Sequence, residues 1–282
     1  MPQVAQELGP ILTAHLFRGV ERRLIELLRS LAPGDWDIQT IAPMWTVKAV
    51  AAHLLDTQLR KLSTARDKYL SEAFSFNPEN GDLVSFINRL NQEGVALYSR
   101  LSPPLLTSLM DVASREYSEF HESLDPFKPA RIGVSWAGEK SSLNWFDTAR
   151  ELTERWHHQQ QIRLAVNRPG IMTREFYHPV LDCFMRALPY AYRDKYAAPG
   201  TLLQYDVQGE CGGTWWLLRE AGHWRLMNGP IGSASVRVTI PEEIAWRIFT
   251  KGIDRASAVS QTKVSGDLDL GLHILNTIAI VG

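Results

Sequence analysis

At 282 residues, with 45% hydrophobic and 22% charged side chains, the chain has the composition of a globular protein that buries a core. A formal net charge of -1 excludes a dedicated nucleic-acid surface, which needs a basic excess, and gives no pull toward an anionic membrane. Two cysteines, Cys183 and Cys211, exclude a secreted disulfide framework and read as buried apolar residues.

The first residues mix apolar and charged side chains at helical spacing, so no signal peptide is expected. Over 8–31, Ile11, Leu12, His15, Leu16, Val20, Leu24, Leu27 and Leu28 recur every three or four residues, predicting a helix that Pro33-Gly34 stops. Thr46 reads as the N-cap of a second helix over 47–66. A third helix is expected over 82–100, halting before Pro103-Pro104, and a fourth over 105–124. The connection 125–142 contains a short extended piece at 131–136. A fifth helix, 143–166, ends at Asn167-Arg168-Pro169-Gly170. Helices joined mostly by short loops predict an antiparallel bundle over residues 1–170.

Beyond 170 the period changes. After a helix over 172–194, period-two runs at 201–207, 214–219, 224–227 and 235–240 are separated by Gly212-Gly213, Ala221-Gly222 and Gly229-Pro230, and predict antiparallel strands. Pro241 opens a helix over 242–250, and 267–281 reads as a final apolar helix. Residues 171–282 are thus expected to form a small α+β domain. No run approaches the roughly 18 apolar residues of a membrane span, and a cytoplasmic protein is expected.

The chemistry concentrates on the fifth helix. Glu154 and His158 are four apart, so a carboxylate and an imidazole can reach one ion from one face. His157, three residues from Glu154, is an alternative partner. Such a pair is common by chance. Trp145, Ala149, Leu152 and Trp156 make an apolar stripe opposite Asp147, Arg150, Glu154, His158 and Gln161, so periodicity alone equally allows a solvated polar face. A catalytic metal needs about three protein ligands and a vacancy, and His53 on the second helix is the candidate third. Asp56, one turn after His53, could accept an outer hydrogen bond, and Gln161 lines the same groove. Arg150 and Arg60 face that groove by helical arithmetic and are candidates to hold a substrate carboxylate.

Two segments carry a resemblance. Asp35-Trp36 through Trp45-Thr46-Val47 to Ala52-His53-Leu54, and the set Glu154, Trp156, His158, Ile162 and Arg163, are similar to the DinB-like superfamily, specifically its branch of mycothiol-dependent maleylpyruvate isomerases. Members often carry Asp where this chain has Gln161. Residues 236–252 and 264–268 resemble the sterol-carrier-like domain that follows these bundles. The resemblance implies an α+β protein: an antiparallel four-helix bundle, then a sterol-carrier-like domain with an antiparallel sheet. It implies a divalent metal, zinc first with nickel or iron as options, on His53, Glu154 and His158. It also implies a low-molecular-weight thiol cosubstrate and a small-molecule substrate, and hence a thiol S-transferase or cis–trans isomerase. Two other functions stay open: a metal-dependent hydrolase, and a non-catalytic protein binding an apolar ligand among Trp215, Trp216, Trp224 and Trp246. A homodimer is an option the sequence does not decide.

Overall fold

A computed structural model describes residues 6–71, 82–229 and 232–280. The helical part comprises α1 (Phe17–Arg29), α2 (Val47–Lys61), α3 (Leu83–Tyr98), α4 (Pro103–Ser123) and α5 (Asn144–Ala165). The first helix is shorter than its apolar spacing predicts: Gln6–Glu7 form a strand, β1, and only a 3-10 turn at Ala14–Leu16 precedes α1. Pro10 lacks the N–H a helix would need there, and the segment before it finds a strand partner instead. Thr46 caps α2, its hydroxyl accepting the Ala49 N–H at 3.3 Å. The last turn of the expected second helix is a π turn at Leu62–Arg66. The extended piece expected at 131–136 is absent; Ser135–Ala137 form a 3-10 turn, and the nearest pairing is an isolated bridge between Pro129 and Leu143.

The expected helix at 172–194 divides into α6 (Arg174–Met185) and α7 (Leu188–Ala191). Pro189 cannot donate to the carbonyl one turn back, so Arg186 and Ala187 close tighter turns on Cys183 and Phe184. The sheet follows with β2 (Leu202–Gln208), β3 (Gly213–Arg219), β4 (Trp224–Asn228), β5 (Val236–Pro241) and β6 (Lys263–Ser265). Its order is β1-β4-β3-β2-β5-β6, antiparallel except where β5 runs parallel to β2 with Tyr205 opposite Val238. Between β5 and β6 lie α8 (Glu242–Phe249) and α9 (Arg255–Gln261), the latter, like β6, too short to give a periodic signal. The expected terminal helix is only α10 (Leu268–Leu272) with a 3-10 turn after it. Ala279 donates to the Phe249 carbonyl, so the tail spends its backbone bonding on the end of α8. Residue 281, the last of that expected helix, lies outside the described residues.

Helix α5 is the seam of the molecule. On one side Trp156 stacks on Tyr177 at 4.4 Å and meets the edge of Trp246 at 6.0 Å, within a core shared with the sheet. Trp215 and Trp224 are buried in the same core, their indole N–H groups donating to Asp182 and the Lys195 carbonyl. On the other sides α5 packs against α1 and α2. Its polar residues are therefore enclosed, and the solvated face that periodicity allowed does not form.

Candidate metal centre

The site begins in the loop before α2. Gln39 bridges Thr46, and the Trp45 carbonyl accepts the Thr40 N–H at 3.1 Å, the Thr40 hydroxyl at 2.7 Å and the Gln39 amide at 2.9 Å. This clamp fixes Trp45 and starts α2, whose second turn carries His53. Where α2 meets α5, the His53 and His158 rings lie edge to face with centroids 4.7 Å apart. Trp45 covers both, at 4.5 Å from His53 and 5.6 Å from His158.

On α5, Glu154 Oε2 lies 3.6 Å from His158 Nε2 and 4.0 Å from His157 Nδ1. Atoms sharing an ion at about 2.0–2.2 Å can be no more than roughly 4.4 Å apart, so the Glu154–His158 separation suits a common cation, whereas His157 Nδ1 is turned to the Thr153 carbonyl. Glu154, His157 and His158 offer ligand atoms all within 4.8 Å of one another, a set drawn from one helix. His53 approaches from α2 on the His158 side.

The outer hydrogen bonds assign the lone pairs. His158 Nδ1 lies 2.9 Å from Gln161 Oε1, an acceptor, so Nδ1 carries the proton and Nε2 keeps a free pair toward Glu154. His157 Nδ1 likewise donates to the Thr153 carbonyl at 2.9 Å. His53 Nδ1 is buried with no hydrogen-bond partner among the described residues. Burial, helped by nearby arginine charge, holds the His53 imidazole well below its ordinary range. Burial does the same to His158, with His157 and His53 adding to it, and brings His157 down to about 4. All three are then neutral and able to donate a pair. Burial also pushes the Glu154 carboxyl up to about 7, against the pull of Arg150. An uncompensated carboxylate beside neutral imidazoles, with an orphaned buried ring nitrogen, fits a divalent cation.

The remaining candidates are engaged elsewhere. Asp56 is held by Arg60 at 2.7 Å, and Arg60 also donates to Asn91 at 2.6 Å. Helix α3 closes over that pair only because residue 94 is glycine: a Cβ there would lie 2.2 Å from the Asp56 carboxyl carbon. No hydrogen bond joins Asp56 to His53 among the described residues. Arg150 is clasped by Asp147 at 2.5 Å and Glu151 at 2.6 Å, and Lys61 bridges the same two carboxylates. Tyr117 donates to Glu151 at 2.5 Å.

Beneath the site lies a pairing that sequence reasoning missed. Arg155 forms a buried ion pair with Glu21 at 2.5 Å and donates to the Leu54 carbonyl, one residue past His53. Gln58 and Ser114 complete the Glu21 carboxylate. The available signal was a glutamate inside the apolar run of α1, between Val20 and Leu24.

With this geometry in place, the sequence profile described as the mycothiol maleylpyruvate isomerase N-terminal domain matches residues 17–163, more than half of the chain. The chain belongs to this family. The match runs from the start of α1 to the last turn of α5 and so spans all the candidate ligands and Trp45. Two solved structures are similar: the mycothiol-dependent maleylpyruvate isomerase, with a TM-score of 0.51, and its histidine-to-alanine mutant, at 0.52. Each is 12% identical, with the alignment covering 90% of this chain and 92% of the other. At that identity the likeness shows the fold, bundle and sheet together. No curated protein matches the sequence. No helix among the described residues is long and apolar enough to cross a membrane.

Proposed function

We propose that this chain is a divalent-metal-dependent enzyme that activates a low-molecular-weight thiol for addition to an electrophilic carbon, leading to transfer or to cis–trans isomerisation as in the maleylpyruvate isomerases its family is named for. The observation that carries the reading is the juxtaposition of Glu154 Oε2 with the free Nε2 of His158 at 3.6 Å, with His53 against the same ring. His53, Glu154 and His158 would hold the ion, leaving coordination room for a thiol. When bound, such an ion stabilises a thiolate at neutral pH. Zinc is the first candidate, and the same donors suit nickel or iron(II).

The protein's own residues do the positioning. Gln161 keeps the His158 proton on Nδ1, so the ligand nitrogen stays unprotonated. Arg155, tied to Glu21 and to the Leu54 carbonyl, sets the distance between α5 and the His53 turn of α2. The imidazoles are largely enclosed, 5% exposed for His53 and 7% for His158, which keeps most water from them. Asp56 acts at one remove, through Arg60. Arg150 and Arg60 remain the candidates for a substrate carboxylate, which would have to share guanidinium groups already bound to Asp147, Glu151 and Asp56. A cytoplasmic location and a division into residues 1–170 and 171–282 belong to the same proposal.

The test is an assay of metal-loaded protein with a panel of small thiols and conjugated cis-enones, beside ester and amide substrates. A thiol-dependent change is expected: loss of the enone absorbance where the thiol stays bound to carbon, or appearance of the trans enone with the thiol regenerated where rotation and elimination follow addition. Hydrolysis of ester or amide without thiol would replace this reading with a hydrolase.

A further inference from the structure

One aromatic residue at the centre, Trp45, differs from the tryptophans that pack the shared core beside it. Trp156 and Trp246 are fully enclosed. Trp45 is only partly buried, while the two imidazoles it touches, at 4.5 Å and 5.6 Å, are buried beneath it. The indole therefore stands between His53 and His158 on one side and solvent on the other. It also belongs to a loop, outside the helices that supply the ligands, and hydrogen bonds tie that loop down. Three donors converge on the Trp45 carbonyl, and its own N–H donates to the Ala42 carbonyl at 3.0 Å. The next residue, Thr46, caps the helix that carries His53, so the ring and the imidazole are fixed to one helix start.

We propose that Trp45 is a specificity-determining wall of the centre, selecting thiols or electrophiles that present a flat, conjugated group beside the coordinated atom. The inference rests on the metal-centre reading above and adds a ligand class to it. Physically, the partly exposed indole lies against both imidazoles, so a group bound beside them on that side would contact it. Aromatic faces favour offset or edge contacts with other π systems over contacts with saturated chains. A wall held in place before the ligand arrives loses little freedom on binding, so the preference is expressed in affinity. A tryptophan serving only to orient imidazoles would gain nothing from its exposed portion.

Cobalt(II)-loaded protein provides the test, because thiolate binding gives a charge-transfer band that needs no turnover. Wild type, Trp45→Phe and Trp45→Leu are each titrated with benzenethiol and with ethanethiol. The ratio of the two affinities in Trp45→Leu supplies the baseline set by thiol acidity. Wild type should exceed that baseline by about 2- to 12-fold in favour of benzenethiol, with Trp45→Phe between them. Equal ratios in all three proteins overturn the proposal, whether or not Trp45→Leu alters the cobalt spectrum before thiol is added. Failure of wild type to bind cobalt overturns the metal centre itself, and this inference with it. Cobalt binding without a difference in ratio overturns the inference alone.

Discussion

Two enclosed polar layers sit side by side on α5, and they differ in how completely they are satisfied. In the first, Arg155 and Glu21 share two hydrogen bonds, Gln58 and Ser114 also donate to that carboxylate, and the Leu54 carbonyl accepts from the third guanidinium nitrogen. Lys61, Arg150, Asp147 and Glu151 close on one another in the same way, two cations against two anions. In the second layer, Glu154, His157, His158 and His53 face one another with no cation among them. Their outer nitrogens are tied down at His157 and His158 but not at His53. Burial costs polar groups their hydration, and the charged groups of the first layer recover it internally, with Gln58 Oε1 left without a partner among the described residues. The second layer is left with neutral imidazoles and one carboxyl that burial pushes up to about 7, the contrast on which the proposed metal centre rests.

That contrast predicts different failures. Removing one partner from the closed layer strands the other, so Glu21→Ala should cost about 3–5 kcal/mol of stability, read from urea unfolding, with or without metal. Glu154→Gln should not share that cost, because it removes a group whose ionised form burial already opposes.

The same contrast separates what could be read in advance from what could not. The meeting of His53 and His158 at the junction of α2 and α5, with Glu154 beside His158, was legible only in part: helical spacing puts Glu154 and His158 on one face, and the Trp45–His53 segment suggested the third residue, whose role as a ligand is the proposal. The choice between a solvated face and a metal face was not legible, because it depends on what packs over Asp147, Arg150 and Gln161. Three- and four-residue periodicity found the helices. It overran into residues 8–13 because apolar spacing there serves the shared core without being helical. The parallel pairing of β5 with β2 depends on which edge the chain returns to, and the Glu21–Arg155 pair joins residues 134 apart; neither leaves a local signature.

A smaller effect concerns acid. His121 stacks on Phe17 at 4.4 Å, and burial brings its imidazole down to about 3, with Lys61 and Arg150 opposing its protonation and Glu151 and Asp147 favouring it. The unfolded chain then binds the proton more readily, so stability is fully present above about pH 6.5 and falls as pH drops toward 3. His121→Phe should flatten that limb by up to about 1.4 kcal/mol per pH unit, measured as unfolding midpoints between pH 6.5 and 4.5. An unchanged slope would show that His121 is protonated in the folded state.

Smaller still, Gln161→Leu removes the acceptor that fixes the His158 tautomer and should weaken metal binding about 10- to 100-fold in competition with a chromophoric chelator, with the fold intact. Gln161→Asp should restore or exceed wild-type affinity, because a carboxylate accepts the same Nδ1 proton and adds charge.

The most direct measurement is metal content by elemental analysis of purified protein reconstituted with zinc, compared across wild type, His53→Ala and His158→Ala, with folding monitored by circular dichroism. The account predicts close to one equivalent in the wild type and loss of it in both variants while their spectra stay native. A wild-type protein that folds and holds no metal after reconstitution would contradict it.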